Sequence, residues 1–109
     1  MRLGVATRAV SVAASLTLTG NMFDNLIWSN AGADTIDAGS GADTVGAGGG
    51  DDLALGGDGG DMIGGGSGAD TLAGGAGNDA LWGEEGNDRL RGDSGQDTLI
   101  GDTGNDTIE

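Results

Sequence analysis

The 109-residue chain contains no proline, cysteine, histidine or tyrosine, only one phenylalanine and two tryptophans. Each absence removes a class of function. Without cysteine there are no disulfides, thiolate zinc sites or cysteine nucleophiles. Without histidine the commonest metal ligand and the usual general base are gone. A core built on aromatics is excluded, and a chain this short makes one small domain at most. Collagen is excluded because glycine does not recur at every third position. Positive charge is also scarce, with 4 Lys plus Arg against 18 Asp plus Glu and a formal charge of −14. Such a chain repels nucleic acid and anionic membrane surfaces and suits cations. No run of about 20 apolar residues exists, so no membrane-spanning helix is expected.

What is abundant is glycine, 26 residues. Glycine with high net charge ordinarily implies disorder, because little apolar area is available to offset chain entropy. A strict period of nine overrides that default. Asp34, Asp43, Asp52, Asp61, Asp70, Asp79, Asp88, Asp97 and Asp106 follow one another in steps of nine. Two residues before each stands a glycine: Gly32, Gly41, Gly50, Gly59, Gly68, Gly77, Gly86, Gly95 and Gly104. Two residues after each Asp stands an aliphatic: Ile36, Val45, Ala54, Ile63, Leu72, Leu81, Leu90, Leu99 and Ile108. The unit is G-G-x-G-x-D-x-U-x, with U aliphatic. Its first glycine is present as Gly56, Gly65, Gly74, Gly83, Gly92 and Gly101, and is replaced by Ser29, Ala38 and Ala47 in the first three copies. The second is present as Gly39, Gly48, Gly57, Gly66 and Gly75.

An x-U-x tripeptide in a strand points U to one side and its neighbours to the other. Repeated every nine residues, U forms a stripe that only stacking can bury, which predicts a solenoid. The glycine-rich hexapeptide supplies tight turns at positive φ.

These residues resemble the RTX, or hemolysin-type, calcium-binding nonapeptide repeats. Copies such as GGSGADTLA (65–73) and GGAGNDALW (74–82) carry the resemblance, which extends over 29–109, about three quarters of the chain. It implies an all-β, right-handed parallel β-roll with two nonapeptides per turn, so that nine copies would make about four and a half turns roughly 4.8 Å apart, a core about 22 Å long. Six residues of each copy would form a calcium-binding turn and the last three a short strand. It further implies that calcium lies between loops two copies apart. One edge would stack Asp34, Asp52, Asp70, Asp88 and Asp106, and the other Asp43, Asp61, Asp79 and Asp97. The loop glycines would complete each site with their carbonyls. Seven gaps result, and seven divalent ions would carry +14 against the formal −14. Calcium takes six to eight oxygens at about 2.3–2.6 Å, which one carboxylate per loop plus freed carbonyls can supply. An aspartate in a glycine turn often only caps its own backbone, but nine in register without neighbouring cationic side chains favour the metal.

Asp51, Asp58, Glu84, Glu85, Asp93 and Asp102 are expected to be solvated charge. Ala54 is the weakest core residue, and its flanking Leu53 and Leu55 predict either a register slip or an exposed apolar spot. Residues 20–28, GNMFDNLIW, form a degenerate copy in which Asn25 replaces Asp, Phe23 replaces glycine and Ile27 keeps the core place. This copy is expected to cap the roll. Residues 1–19 are a leader in which SLTLT (15–19) alternates like a strand; a secretory signal there is the weaker alternative. Trp82 and Ile100 would be neighbours on an outer face, most simply as scattered surface apolars.

The expected function is a non-catalytic, calcium-binding module that folds on meeting extracellular calcium. Family resemblance places it in a secreted bacterial exoprotein, with no export signal evident and the last copy ending at Glu109. Calcium ions are the expected partners, with a fused or docking exoprotein domain as a further one. Alternatives are the repeat portion of a secreted protease or lipase, or an adhesive or ice-binding solenoid. The last needs a regular outward ladder that only Thr103 and Asn105 supply. A phosphate cradle fails for want of lysine, and an EF-hand for want of its closing glutamate.

Overall fold

In the computed structural model, residues 7–9 and 15–109 are described. The suggested leader and its secretory-signal alternative fall largely outside the described residues. The elements in chain order are β1 (Thr7–Ala9), β2 (Thr17–Asn21), β3 (Leu26–Trp28), β4 (Thr35–Gly39), β5 (Thr44–Gly46) and β6 (Leu53–Asp58). They continue as β7 (Met62–Ser67), β8 (Thr71–Ala76), β9 (Ala80–Glu85), β10 (Arg89–Ser94), β11 (Thr98–Thr103) and β12 (Thr107–Ile108). No helix occurs among the described residues.

The strands alternate between two six-stranded sheets, ordered β1-β3-β5-β7-β9-β11 and β12-β10-β8-β6-β4-β2. Every pairing is parallel; from β2 onward it joins residues eighteen apart, as in Leu72 with Ala54 and with Leu90, whereas β1 pairs with β3 nineteen apart. Two nonapeptides therefore make one turn, and the molecule is an all-β parallel β-solenoid of about five turns.

The aliphatic at U is what locks this register, because a slip of one residue would turn it outward. Leu18, Ile36, Ala54, Leu72 and Leu90 come from one sheet and Ile27, Val45, Ile63 and Leu81 from the other, all buried in one core. Leu99 is partly buried against them, and Ile108, on the terminal β12, is exposed. Each fully buried aliphatic contributes about 1.5–3 kcal/mol of transfer free energy.

Three details differ from or sharpen the sequence reading. The strands from β6 to β11 are six residues long, not three, because the first three loop residues of the next copy keep pairing with the turn below. Of the SLTLT segment, residues 17–19 fall in strand β2, which runs on to Asn21, and Leu18 takes a core place beside Ile36. Ala54 stays in register between Ile36 and Leu72, so there is no slip, and the apolar spot is the exposed Leu53.

Candidate functional site

The tightest demand on the loops comes from the fourth position of each copy. Gly68 has φ +127°, and a Cβ there would drive into the carbonyl of Gly50 one turn below. No L side chain fits both restrictions. The second position is less strict. Glycines occupy it from Gly39 to Gly75, whereas Glu84, Asp93 and Asp102 take it at φ between 70° and 78°. These three acids, with Asp51, Asp58 and Glu85, are exposed, as charge in water should be.

The repeated aspartates are not in water. Asp34, Asp43, Asp52, Asp61, Asp70, Asp79 and Asp88 are all buried, each with 3% or less of its surface exposed. Asp97 and Asp106, at the C-terminal end, are half-buried. Buried carboxylates are rare unless paired or bound to a cation. Half of the explanation is a ladder of main-chain bonds. The Asp34 N–H donates to Asp52 Oδ1 at 2.8 Å, Asp52 to Asp70 at 2.8 Å and Asp70 to Asp88 at 2.9 Å. On the other edge Asp43 donates to Asp61, and Asp61 to Asp79, at 2.8 Å each. Asp97 and Asp106 receive the same bond from Asp79 and Asp88 at 2.9 Å. The stacks along both edges are those that the family resemblance implies.

The other oxygen is the chemically telling one. Oδ2 of Asp43, Asp52, Asp61, Asp70, Asp79 and Asp88 is buried with no hydrogen-bond partner. Four of the six, those of Asp61, Asp70, Asp79 and Asp88, lie against the glycine at the first position of their own copy. A Cβ placed on Gly65 would stand 2.5 Å from Asp70 Oδ2 and 2.9 Å from the carbonyl oxygen of Gly83, in the next turn of the same edge. Gly56 relates in the same way to Asp61 and Gly74, and Gly83 to Asp88 and Gly101. A carboxylate oxygen and a carbonyl oxygen thus face one space with no proton between them. Such a pair repels itself in a dry site and calls for a hard cation.

Burial raises the pKa of each of these same six groups, more than their main-chain bonds lower it. Asp61 and Asp70 are pushed up to about 6, with neighbouring aspartates adding to the shift. Among the described residues no three acidic side chains gather at one point. A cation between loops would therefore need main-chain carbonyls as well as carboxylates. The first-position carbonyls of Gly74, Gly83 and Gly101 face the orphaned oxygens. Those of Gly39, Gly41, Gly48, Gly50, Gly57, Gly59, Gly68, Gly77 and Gly86 instead press on the glycine one turn above.

An outer clasp was not foreseen from the repeat. At the fifth position, Asp24, Asp51, Asn78 and Asn87 each accept the N–H of the residue eighteen further on, at 2.8–2.9 Å. Asp51 is thus a loop fastener as well as surface charge. An Asp or Asn before the repeated Asp was the available signal.

The degenerate copy behaves differently. Asn25 is buried, its N–H donates to Asp43 Oδ1 at 2.6 Å, and its amide exchanges bonds with Asn21 at 2.9 and 3.1 Å. A neutral side chain with its own partners stands where the later copies hold a carboxylate.

A family model for the RTX calcium-binding nonapeptide repeat, four copies long, matches residues 19–54, 55–90 and 74–108. The match is to a calcium-binding repeat module, and no catalytic domain is identified. No curated protein matches the sequence. Among the described residues no helix is long and apolar enough to cross a membrane.

Proposed function

Since the chain belongs to the RTX calcium-binding nonapeptide-repeat family, we propose that it is a non-catalytic module whose folding is coupled to calcium bound between stacked loops. One observation carries the reading: six carboxylate oxygens are buried without a hydrogen-bond partner. Asp43, Asp52, Asp61, Asp70, Asp79 and Asp88 supply carboxylate ligands, with Asp97 and Asp106 closing the last gap on each edge. Loop glycine carbonyls, those of Gly74, Gly83 and Gly101 foremost, supply the rest of the oxygen shell. Bound calcium supplies positive charge that offsets carboxylate repulsion.

The loops themselves do the positioning. Position-four glycines allow turns to stack at strand spacing, the Oδ1 ladder orients each carboxylate, and the aliphatic core holds the two edges apart. Where calcium is scarce, as in cytosol, the formal −14 opposes compaction. In extracellular millimolar calcium, where such modules bind at roughly 10⁻⁴–10⁻³ M, binding free energy becomes folding free energy. That logic suits a part of a secreted bacterial exoprotein. Magnesium prefers a small octahedral shell and keeps its waters, so discrimination is expected. Titration calorimetry should show multi-site calcium binding in the millimolar range or tighter, and little or no heat with magnesium. An absence of calcium heat up to about 10 mM would remove the assignment.

A further inference from the structure

The first of the nine copies is set apart by the side chain at its first position. Its first position is Ser29, whose hydroxyl donates a hydrogen bond to Asp34 Oδ2. The other oxygen, Asp34 Oδ1, accepts the Leu16 N–H at 2.7 Å. Both oxygens of the buried Asp34 carboxylate therefore meet protons, and Asp34 is not among the carboxylates with an orphaned oxygen. Ser29 is itself buried. The equivalent places are glycine in the last six copies and alanine, Ala38 and Ala47, in the second and third. Neither residue can donate from its side chain, and every buried Asp of those copies has an unpartnered Oδ2.

We infer that the Ser29 hydroxyl takes the place of a cation in the gap between Asp34 and Asp52, so that the chain holds six calcium sites and begins with a calcium-independent turn. The inference rests on the calcium reading above and assigns one site to each orphaned oxygen. Along one edge the sites lie between Asp52 and Asp70, Asp70 and Asp88, and Asp88 and Asp106. Along the other they lie between Asp43 and Asp61, Asp61 and Asp79, and Asp79 and Asp97. The corresponding first gap on that second edge is filled by the neutral Asn25, bonded to Asn21. Both edges thus open with a side chain that already has its protons, and cation-requiring turns follow. A turn that forms without calcium gives the growing solenoid a template onto which later loops add as ions bind.

Calcium bound per chain, counted by equilibrium dialysis at saturation, tests this on the full chain. Six ions are expected for the natural sequence. Ser29→Ala and Ser29→Gly should each bind seven, because the Asp34 carboxylate is then left like its neighbours. Asp34→Asn should keep six, since its amide oxygen can still accept the Leu16 N–H while its NH2 donates to the Ser29 hydroxyl. Seven ions in the natural chain, an unchanged count in both Ser29 variants, or a lost ion in Asp34→Asn would overturn the inference while leaving calcium binding intact. No bound calcium in any of these proteins would instead remove the function on which it rests. Should the Ser29 variants fail to fold, the natural chain and Asp34→Asn still decide.

Discussion

Asp70→Ala is expected to damage two turns of the solenoid at once. Asp70 Oδ1 accepts the buried Asp52 N–H at 2.8 Å, and its Oδ2 is one of the orphaned oxygens aimed at the next loop. Truncation leaves the N–H without an acceptor, at a cost of about 1–3 kcal/mol, and withdraws a carboxylate from the gaps toward Asp52 and Asp88. Calcium stoichiometry should fall by one or two, and the calcium midpoint for folding should rise severalfold. Asp70→Asn separates the two effects, because an amide oxygen still accepts the N–H but brings no charge. It should lose calcium with less damage to the fold. Unchanged stoichiometry and unchanged folding in Asp70→Ala would contradict a site made of stacked carboxylates.

Mild acid is expected to do part of calcium's work. Burial lifts Asp61 and Asp70 from an ordinary 3.8 to about 6 in the folded chain. A carboxyl raised on folding holds its proton more tightly when folded. The metal-free solenoid is thus favoured below about pH 4 and loses that advantage as pH climbs through about 6. That rise corresponds to about 3 kcal/mol for each group taken alone. Calcium-free protein should therefore gain β-structure on going from pH 7.5 to 5, into the window between about 6 and 4. Dilute samples are needed because the isoelectric point is about 4.1. A disordered far-ultraviolet spectrum at both pH values would show that protonating the buried carboxyls does not relieve the repulsion assigned to them. The same acidification should weaken calcium binding, since protons and cation then compete for the same oxygens.

The architecture was legible because the strand fixes side-chain direction. A residue every nine positions, with U flanked by outward neighbours, leaves one parallel register, and the observed pairs of Leu72 with Ala54 and Leu90 follow from it. Even Leu18 could have been placed, since it lies nine residues before Ile27 and takes the same buried position. Strand length was less legible. Glycine-rich segments such as Gly56–Gly57–Asp58 carry no β propensity, yet they pair because the neighbouring turn holds a matching backbone in reach.

At the site, the family resemblance implied the two carboxylate stacks but not the inequivalence of the two oxygens. That each Oδ1 is taken by an N–H while Oδ2 is left over depends on loop stacking, which no period encodes. Hence seven gaps counted from spacing reduce to six orphaned oxygens. Ser29 reads in sequence only as a missing glycine. Its hydroxyl acquires meaning once the Asp34 carboxylate is seen beside it.

The coupling of calcium to folding is tested most directly by far-ultraviolet circular dichroism at pH 7.5, titrating calcium from chelator to about 10 mM with magnesium as control. A cooperative gain of β signal with calcium, and none with magnesium, is the predicted result. A fully formed β spectrum in chelator would contradict it, because the buried carboxylates would then fold without a cation to hold them.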